Sequence, residues 1–410
     1  MLSVAEAESL ILNLTHPLSD RETVDLLTAS RRVLATEVRC DRNFPYWDNS
    51  AMDGYAVRFA DLQNCSPETP TVLEVVTEIP AGTAPQQTIQ AGQAARLFTG
   101  SMMPPGADTV VMQEHTQRQG HQVQILQQPK PQAFVRHQGD YYQAGSPLLT
   151  QGTILNAPEI AVLATAQCTQ IPVYRRPIVA ILSTGSELIA PDQPLQPGQI
   201  IDSNRYALAA LVQQTGAEVR LIDTVGDRPA DVRAAIQDAL HADLVISSGG
   251  VSVGDYDFVD QTLAELGAEI HIRAVAVKPG KPLTVATVPT SDGATALYFG
   301  LPGNPVSALV SFWRFVQPAI RKLSGQSQGW APTFVQAKSL QELQISGQRE
   351  TYLWGQLRLV NGVYEFSLAG GSHSSGNLMN LIHTSGLAML TTQSPTVQPG
   401  ERVRVLQVRR

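Results

Sequence analysis

Cysteine is scarce. Only three, Cys40, Cys65 and Cys168, occur in 410 residues. They are far apart and free of CxxC spacing or His-rich company, which disfavours both a disulfide scaffold and a zinc site. Positive charge is also short: Lys plus Arg is 29 against 36 for Asp plus Glu, a net of -7. No general surface is available to hold nucleic acid, so any bound anion must be held locally. Long apolar runs are missing, none approaching the roughly 20 residues of a membrane span. Glu6 and Glu8 stand where a secretory signal would need a basic and then apolar stretch. The chain therefore reads as cytoplasmic, with neither membrane nor nucleic acid as partner. What it has is apolar content: 43% is enough to bury a large core, and the length suggests two to four domains at roughly 100–200 residues each.

The opening VAEAESLILNLTHPL has helical spacing, with Ala5, Leu10, Leu12 and Leu14 as its apolar face. RETVDLLTASRRVLA predicts a second helix over 21–35, burying Val24, Leu27, Val33 and Leu34. From Cys40 to Tyr142 short β-type runs such as TVLEVVTEI and TVVMQE alternate with Pro-Gly turns, a β-rich inserted module. PEIAVLATAQ reads as a helix. From Pro177 to about Gly325 apolar strands (IVAILS, EVRLIDTV, DLVISSG, HIRAVAV, TALYFGLPG) alternate with helices (NRYALAALVQQTG, PADVRAAIQDALH, DFVDQTLAELG). That alternation predicts a doubly wound, mostly parallel α/β domain. After Gly325, ETYLWGQLRLV, VYEFSLA and RVRVLQV, with a hairpin turn at Asn361-Gly362, predict a small β-barrel or sandwich.

Three motifs, two of them strand-to-helix junctions and one a Pro-Gly turn at a strand end, carry the chemical signals. In SSGGVSVGDYDFV, paired Gly249 and Gly250 with Ser252 and Gly254 would let backbone N–H groups approach a phosphate; the plain alternative is a tight turn. Asp255 and Asp257 beyond it are equally suited to capping the helix or binding metal. In KPGKP, Lys278 and Lys281 could converge on one dianion, the alternative being a solvated turn. In FGLPGNPVSALVSFW, Pro302, Gly303 and Pro305 open a helix running to Leu323 and leave the N–H groups of Val306 and Ser307 free for a ligand. STGSEL (Ser183, Thr184, Gly185, Glu187), SSGGVSVG and LPGNPVS lie at strand carboxyl ends, so one shared cleft is expected for these three. Asp48, Asp53, Asp140, Glu187 and Asp227 stand in turn-like text, each able to act as a cap; together they could bind Mg²⁺, which prefers oxygen ligands.

These motifs resemble the MoeA family of molybdopterin molybdenumtransferases, which includes the plant and gephyrin E domains. DNSAMDGYAV, RLFTGSMMPPGADTVVMQE, RHQGDYY, STGSEL, GGVSVGDYDFV, KPGKP, LPGNPVSALVSF and SSGNLMNL stand in family order along essentially the whole chain. The resemblance implies a multidomain α/β plus β architecture. Its parts are a MogA/MoaB-like α/β domain (1–21 and 177–325), a linking domain (22–44 and 145–176), an inserted β-rich domain (45–144) and a C-terminal β-barrel (326–410). It implies insertion of molybdenum from molybdate into adenylylated molybdopterin, with Mg²⁺-dependent release of AMP. Asp53, Thr99, Asp140, Glu187, Asp227 and Asp257 match the family's functional polar positions. Lys278, Lys281, Pro302, Pro305, Ser307, Arg349 and Ser374 match residues around the pterin and oxyanion. Asp53, Asp140, Asp227, Asp257, Lys278 and Lys281 are the expected catalytic set, and Asp257, Asp227 and Glu187 the expected Mg²⁺ ligands. A homodimer with a shared active site is implied, Asp53 and Asp140 acting on the partner's cleft, and a molybdopterin adenylyltransferase is a candidate partner. The rival readings are a non-catalytic scaffold on the same fold and a molybdopterin adenylyltransferase.

Overall fold

Runs such as Ile178–Ser183 and Leu244–Ser248 are apolar on alternate residues in both directions, so each strand must be covered on both faces. The computed structural model describes residues 1–226, 228–249, 258–291, 293–345 and 347–409. The chain divides into two units: 1–36, 151–164 and 168–410 form one, 37–150 with 165–167 the other.

The first unit opens with α1 (Val4–Leu14), capped by Ser3 and Glu6 in a reciprocal capping box. Its α/β portion comprises β1 (Ile178–Ser183), α2 (Ser203–Thr215), β2 (Glu218–Leu221), α3 (Pro229–Ala239), β3 (Leu244–Ser248) and α4 (Phe258–Glu265). It continues with β4 (Glu269–Ala274), β5 (Pro282–Pro289), β6 (Thr295–Leu301), α5 (Pro305–Ser311) and α6 (Gln317–Leu323). A π-helical turn, Phe312–Val316, joins α5 to α6. The sheet order is β2-β1-β3-β6-β5-β4; the first four strands are parallel, and β5 runs antiparallel to both β6 and β4. Val179, Ile181, Leu244, Ile246 and Phe299 face α1, α2, α5 and α6. Ala180, Leu182, Val245 and Tyr298 face α3 and α4. This is the expected doubly wound, mostly parallel sheet. PLTVATVP, which the alternation did not single out as a strand, forms β5.

The C-terminal strands are β7 (Phe334–Ser339), β8 (Glu350–Val360), β9 (Val363–Leu368), β10 (Gly386–Leu390) and β11 (Arg402–Gln407). They pair in the order β8-β9-β7-β11-β10, and β10 pairs again with β8, closing a five-stranded barrel. Asn361 and Gly362, both at positive φ, make the hairpin between β8 and β9. Val277–Lys278 leaves the α/β portion to pair in parallel with β8.

The second unit is built on a six-stranded sheet in the order Thr109–Met112, Gly54–Val57, Gln93–Leu97, Thr71–Ile79, Gln122–Ile125, Thr116–Gln119. Tyr55, Val57 and Val111 point into one of its cores, Ala56, Leu97 and Val110 into the other.

Two expectations need correction. Residues 21–35 are not a helix: Arg21–Val24 is a strand paired with Ile171–Tyr174, and Leu27 is 92% exposed. Asp25 Oδ1 accepts the N–H of Thr28 at 2.8 Å, and this local turn competes with helix continuation immediately after β-branched Thr23 and Val24. In α1 Val4, Ala7 and Ile11 are the fully buried residues; Leu10 and Leu14 pack partly buried against the same core, and Ala5 is exposed. The sheet and α6 approach that side, and the i, i+3, i+7 row fits it.

Candidate functional site

The parallel strands β1, β3 and β6 end side by side, and the residues that follow them wall an open cleft of about 680 Å³. Thr184, Gly185 and Glu187 come after β1, Gly249 after β3, and Pro302, Gly303 and Pro305 after β6. Gly249 has φ +93°, and a Cβ there would stand 2.3 Å from the Thr184 carbonyl oxygen, so this turn admits glycine alone. Ser183 lies beneath, fully buried, its hydroxyl without a hydrogen-bond partner among the described residues. Among the described residues no Lys, Arg or His lines this cleft. Its polar side chains are two carboxylates, Glu187 and Asp202, with the hydroxyls and amides of Thr184, Ser203, Asn204, Ser248 and Asn304, and its apolar lining includes Leu188, Ile200, Ile201 and Leu378.

A second pocket of about 570 Å³ adjoins it, sharing Pro282 and Asn304. Here Lys278, Lys281 and Arg349 gather with Ser307 and Ser374, and among the described residues no carboxylate lines it. Such a pocket suits an oxyanion, in a chain whose net charge is -7. The lysine turn is tightly seated: Gly280 has φ +104°, and a Cβ would reach within 2.8 Å of Ser311 Oγ. Arg349 is oriented by a bond from Nη1 to the Val277 carbonyl at 3.2 Å. The N–H of Val306 is not free as expected. It donates to the Ser375 carbonyl at 3.1 Å, because the 372–377 loop of the barrel side docks on the helix start.

Behind this pocket Arg314 Nε donates to Tyr352 OH at 2.9 Å, and Tyr352 OH donates to Glu350 Oε1 at 2.6 Å. Burial works against the Arg314 charge, but Glu8, Tyr352 and Glu350 outweigh it and hold the guanidinium above its usual range. Burial, with Glu350 adding to it and Arg314 opposing, pushes the Tyr352 phenol up.

In the second unit Gly54–Val57 pairs antiparallel with Gln93–Leu97, Gly54 opposite Leu97, which brings Asp53 to Thr99. Asp53 Oδ1 accepts the Thr99 N–H at 2.7 Å and the Thr99 hydroxyl at 2.8 Å. These two bonds hold the Asp53 carboxyl below the usual range. Asp140 Oδ2 accepts the His137 N–H at 2.7 Å and Asp48 Oδ1 the Gln138 N–H at 2.8 Å, so both acids shape the 137–140 turn.

Asp227, Gly250, Ser252, Gly254, Asp255 and Asp257 lie outside the described residues. Among the described residues no group of three His, Cys, Asp or Glu is placed to hold a metal ion. The cleft does offer carboxylates, Glu187 and Asp202, which fit in kind the one or two that Mg²⁺ takes alongside substrate phosphates and water. Asp202 is already engaged: it caps α2, accepting the Arg205 N–H at 3.1 Å.

Sequence reasoning missed Asp202, Asn204, Asn304 and His373, all of which line one pocket or the other. The Asp-Ser-Asn run before a helical stretch signalled an N-cap, but nothing in it said that Asn204 would face a cleft made by two distant strands.

Three family models cover most of the chain: the MoeA N-terminal region (domain I and II) over 2–166, a probable molybdopterin binding domain over 180–322, and the MoeA C-terminal region (domain IV) over 336–408. A molybdopterin molybdenumtransferase of Nostoc sp. is 58% identical over 412 residues, covering 100% of this chain and 94% of that protein. One of Haemophilus influenzae is 37% identical, covering 99% and 98%. The crystal structure of a molybdopterin biosynthesis moeA protein from Pyrococcus horikoshii superposes with TM-score 0.84 at 26% identity, covering 99% of this chain and 100% of that one. Identity this high, sustained from end to end and through a domain order shared with a solved relative, makes the chain a member of the MoeA family of molybdopterin molybdenumtransferases.

Proposed function

We propose that this chain transfers molybdenum from molybdate to adenylylated molybdopterin, releasing AMP, as a step of molybdenum cofactor biosynthesis. The observation that carries this reading is the pairing of a cleft that no cation lines among the described residues with an adjoining pocket of Lys278, Lys281 and Arg349. A neutral heterocycle suits the first and an oxyanion the second. Lys278, Lys281 and Arg349 hold the anion, and Ser307 and Ser374 orient its oxygens. Gly249, Pro302, Gly303 and Pro305 shape the wall for the adenylylated pterin. Catalysis is then mainly positional and electrostatic. None of the three cysteines lines either pocket, so the sulfur ligands for molybdenum come from the substrate.

Glu187, with Asp227 and Asp257, would hold Mg²⁺, which when bound neutralises charge on the adenylate phosphate. A cytoplasmic homodimer sharing its active sites belongs to the same reading, with Asp53 and Asp140 acting across subunits. So do the four domains expected from the resemblance and an adenylyltransferase as the upstream partner. No helix among the described residues is long and apolar enough to cross a membrane. The scaffold and adenylyltransferase readings are not favoured, since relatives matched over the full chain carry the molybdenumtransferase name.

The test is to incubate the purified chain with adenylylated molybdopterin, Mg²⁺ and molybdate and to follow AMP. Release that depends on molybdate supports the reading; none, from folded protein, overturns it. Mixing inactive Asp53→Ala with inactive Asp257→Ala tests sharing: recovered activity after subunit exchange is the expected result.

A further inference from the structure

Charge alone does not separate one tetrahedral dianion from another; hydrogen-bond polarity does. Molybdate, sulfate and selenate carry no proton and only accept, whereas hydrogen phosphate and hydrogen arsenate, at the same charge, keep one O–H that needs an acceptor. In the oxyanion pocket Lys278, Lys281 and Arg349 only donate. Carbonyl oxygens around it are already engaged within the fold. Val277 O accepts Arg349 Nη1 at 3.2 Å, Lys281 O the Val275 N–H at 3.0 Å and Asn304 O the Ala308 N–H at 3.0 Å. Ser374 O accepts the Asn377 N–H at 3.0 Å, Ser375 O the Val306 N–H at 3.1 Å, and Arg349 O the Thr351 hydroxyl at 3.0 Å. His373 Nε2 donates to the Ala369 carbonyl at 2.8 Å, and its Nδ1 is buried out of reach. Among the described residues no carboxylate lines the pocket. What is left to accept is neutral: the side-chain amides of Asn304 and Gln344 and the hydroxyls of Ser307 and Ser374, each of which can also turn to donate.

We propose that this pocket selects its oxyanion by protonation state. It takes tetrahedral dianions that carry no proton, so that sulfate and selenate compete with molybdate, and it discriminates against hydrogen phosphate and hydrogen arsenate of equal charge. The inference rests on the proposed function and deepens it. A proton-free dianion turns every oxygen toward an ammonium, the guanidinium or a hydroxyl without conflict. Hydrogen phosphate sets its O–H against those same donors or gives it to a neutral acceptor, which returns about half of what a carboxylate would. A site built around one hydrogen-bond polarity rejects the analogue of the other, and an unmet donor costs roughly tenfold to a hundredfold in affinity. Lys278 and Lys281 are exposed, so water relieves part of the conflict and the lower end of that range is expected.

The experiment measures dissociation constants of the full chain for molybdate, sulfate, selenate, phosphate and arsenate, at one ionic strength and a pH where all are dianions. Sulfate with phosphate, and selenate with arsenate, are pairs matched in shape and charge that differ by one proton. The proton-free member of each pair should bind roughly tenfold more tightly than its partner and should displace molybdate. Lys281→Gln should weaken sulfate and molybdate by similar factors, which places both in this pocket. Phosphate or arsenate binding as tightly as its partner overturns the proposal. So does sulfate binding that Lys281→Gln leaves unchanged, or failure of sulfate and selenate to displace molybdate. Should the variant not fold, the wild-type series decides alone. AMP release by wild type in the molybdate assay is read in parallel. Normal release without the preference sinks the selection and leaves the function standing; the preference without release does the reverse.

Discussion

Arg314 Nη2 donates to Glu8 Oε2 at 2.7 Å, joining the first helix of the chain to the π turn that precedes α6. Arg314 is 6% exposed, so loss of its partner strands a guanidinium in the core. Glu8→Ala is expected to lower stability by about 2–4 kcal/mol, read as a lower urea midpoint at unchanged m value. A shift under about 0.5 kcal/mol would show that the pair contributes no more than a surface ion pair.

Asp53 and Thr99 set a pH dependence. The Asp53 carboxyl is held below its ordinary value first by the Thr99 N–H and then by the Thr99 hydroxyl. A depressed carboxylate contributes stability fully above its unfolded value, and that contribution is lost as pH falls through the lower folded value. The Asp53 side-chain carbon, followed by NMR, should therefore titrate below the ordinary Asp midpoint of about 3.9. Thr99→Val, which removes only the hydroxyl, should move the midpoint part of the way back. A midpoint unchanged by Thr99→Val would assign the whole effect to the backbone bond.

Lys281→Gln should raise the molybdate concentration for half-maximal AMP release by roughly ten- to a hundredfold at fixed ionic strength. Burial would argue for more, but Lys278 and Lys281 are both exposed, and water screens part of the attraction. Thermal stability should hardly move. Unchanged half-saturation in folded protein would remove Lys281 from the oxyanion pocket.

Gly249→Ala places a methyl 2.3 Å from the Thr184 carbonyl at a φ of +93°. Backbone must shift, so a loss of about 1–3 kcal/mol is expected together with weaker binding of whatever fills the cleft. Gly293→Ala is the control, also at positive φ, +83°, but with nothing within 4 Å. It should show the smaller loss, and equal losses at the two sites would reduce the Gly249 effect to backbone strain alone.

The α/β portion was legible because strands buried on both faces read as unbroken apolar runs and their glycine turns as punctuation, as at Gly216, the left-handed cap of α2. Residues 21–35 misled because helical spacing outlived the helix; strand pairing with Ile171–Tyr174, some 150 positions away, decides that segment. The site was legible where a motif itself forms the wall, as in Gly249 or Lys278. It was illegible at Asn204, which is placed by Ser248 and Gly303, neither of them near in sequence. The Val306 N–H misled for the same reason, its acceptor lying on the 372–377 loop.

The lysine turn is anchored at its two ends to different sheets. Lys278 stands in the barrel's ladder opposite Thr351, while the carbonyl of Lys281 accepts the N–H of Val275, just beyond β4. The separation of the two ammonium groups is thereby a gauge of how the barrel is seated on the α/β sheet. A substitution that tilts the barrel by a fraction of an ångström would detune the anion pocket while both hydrophobic cores stay intact, so defects in oxyanion affinity can originate in strands that never touch the oxyanion.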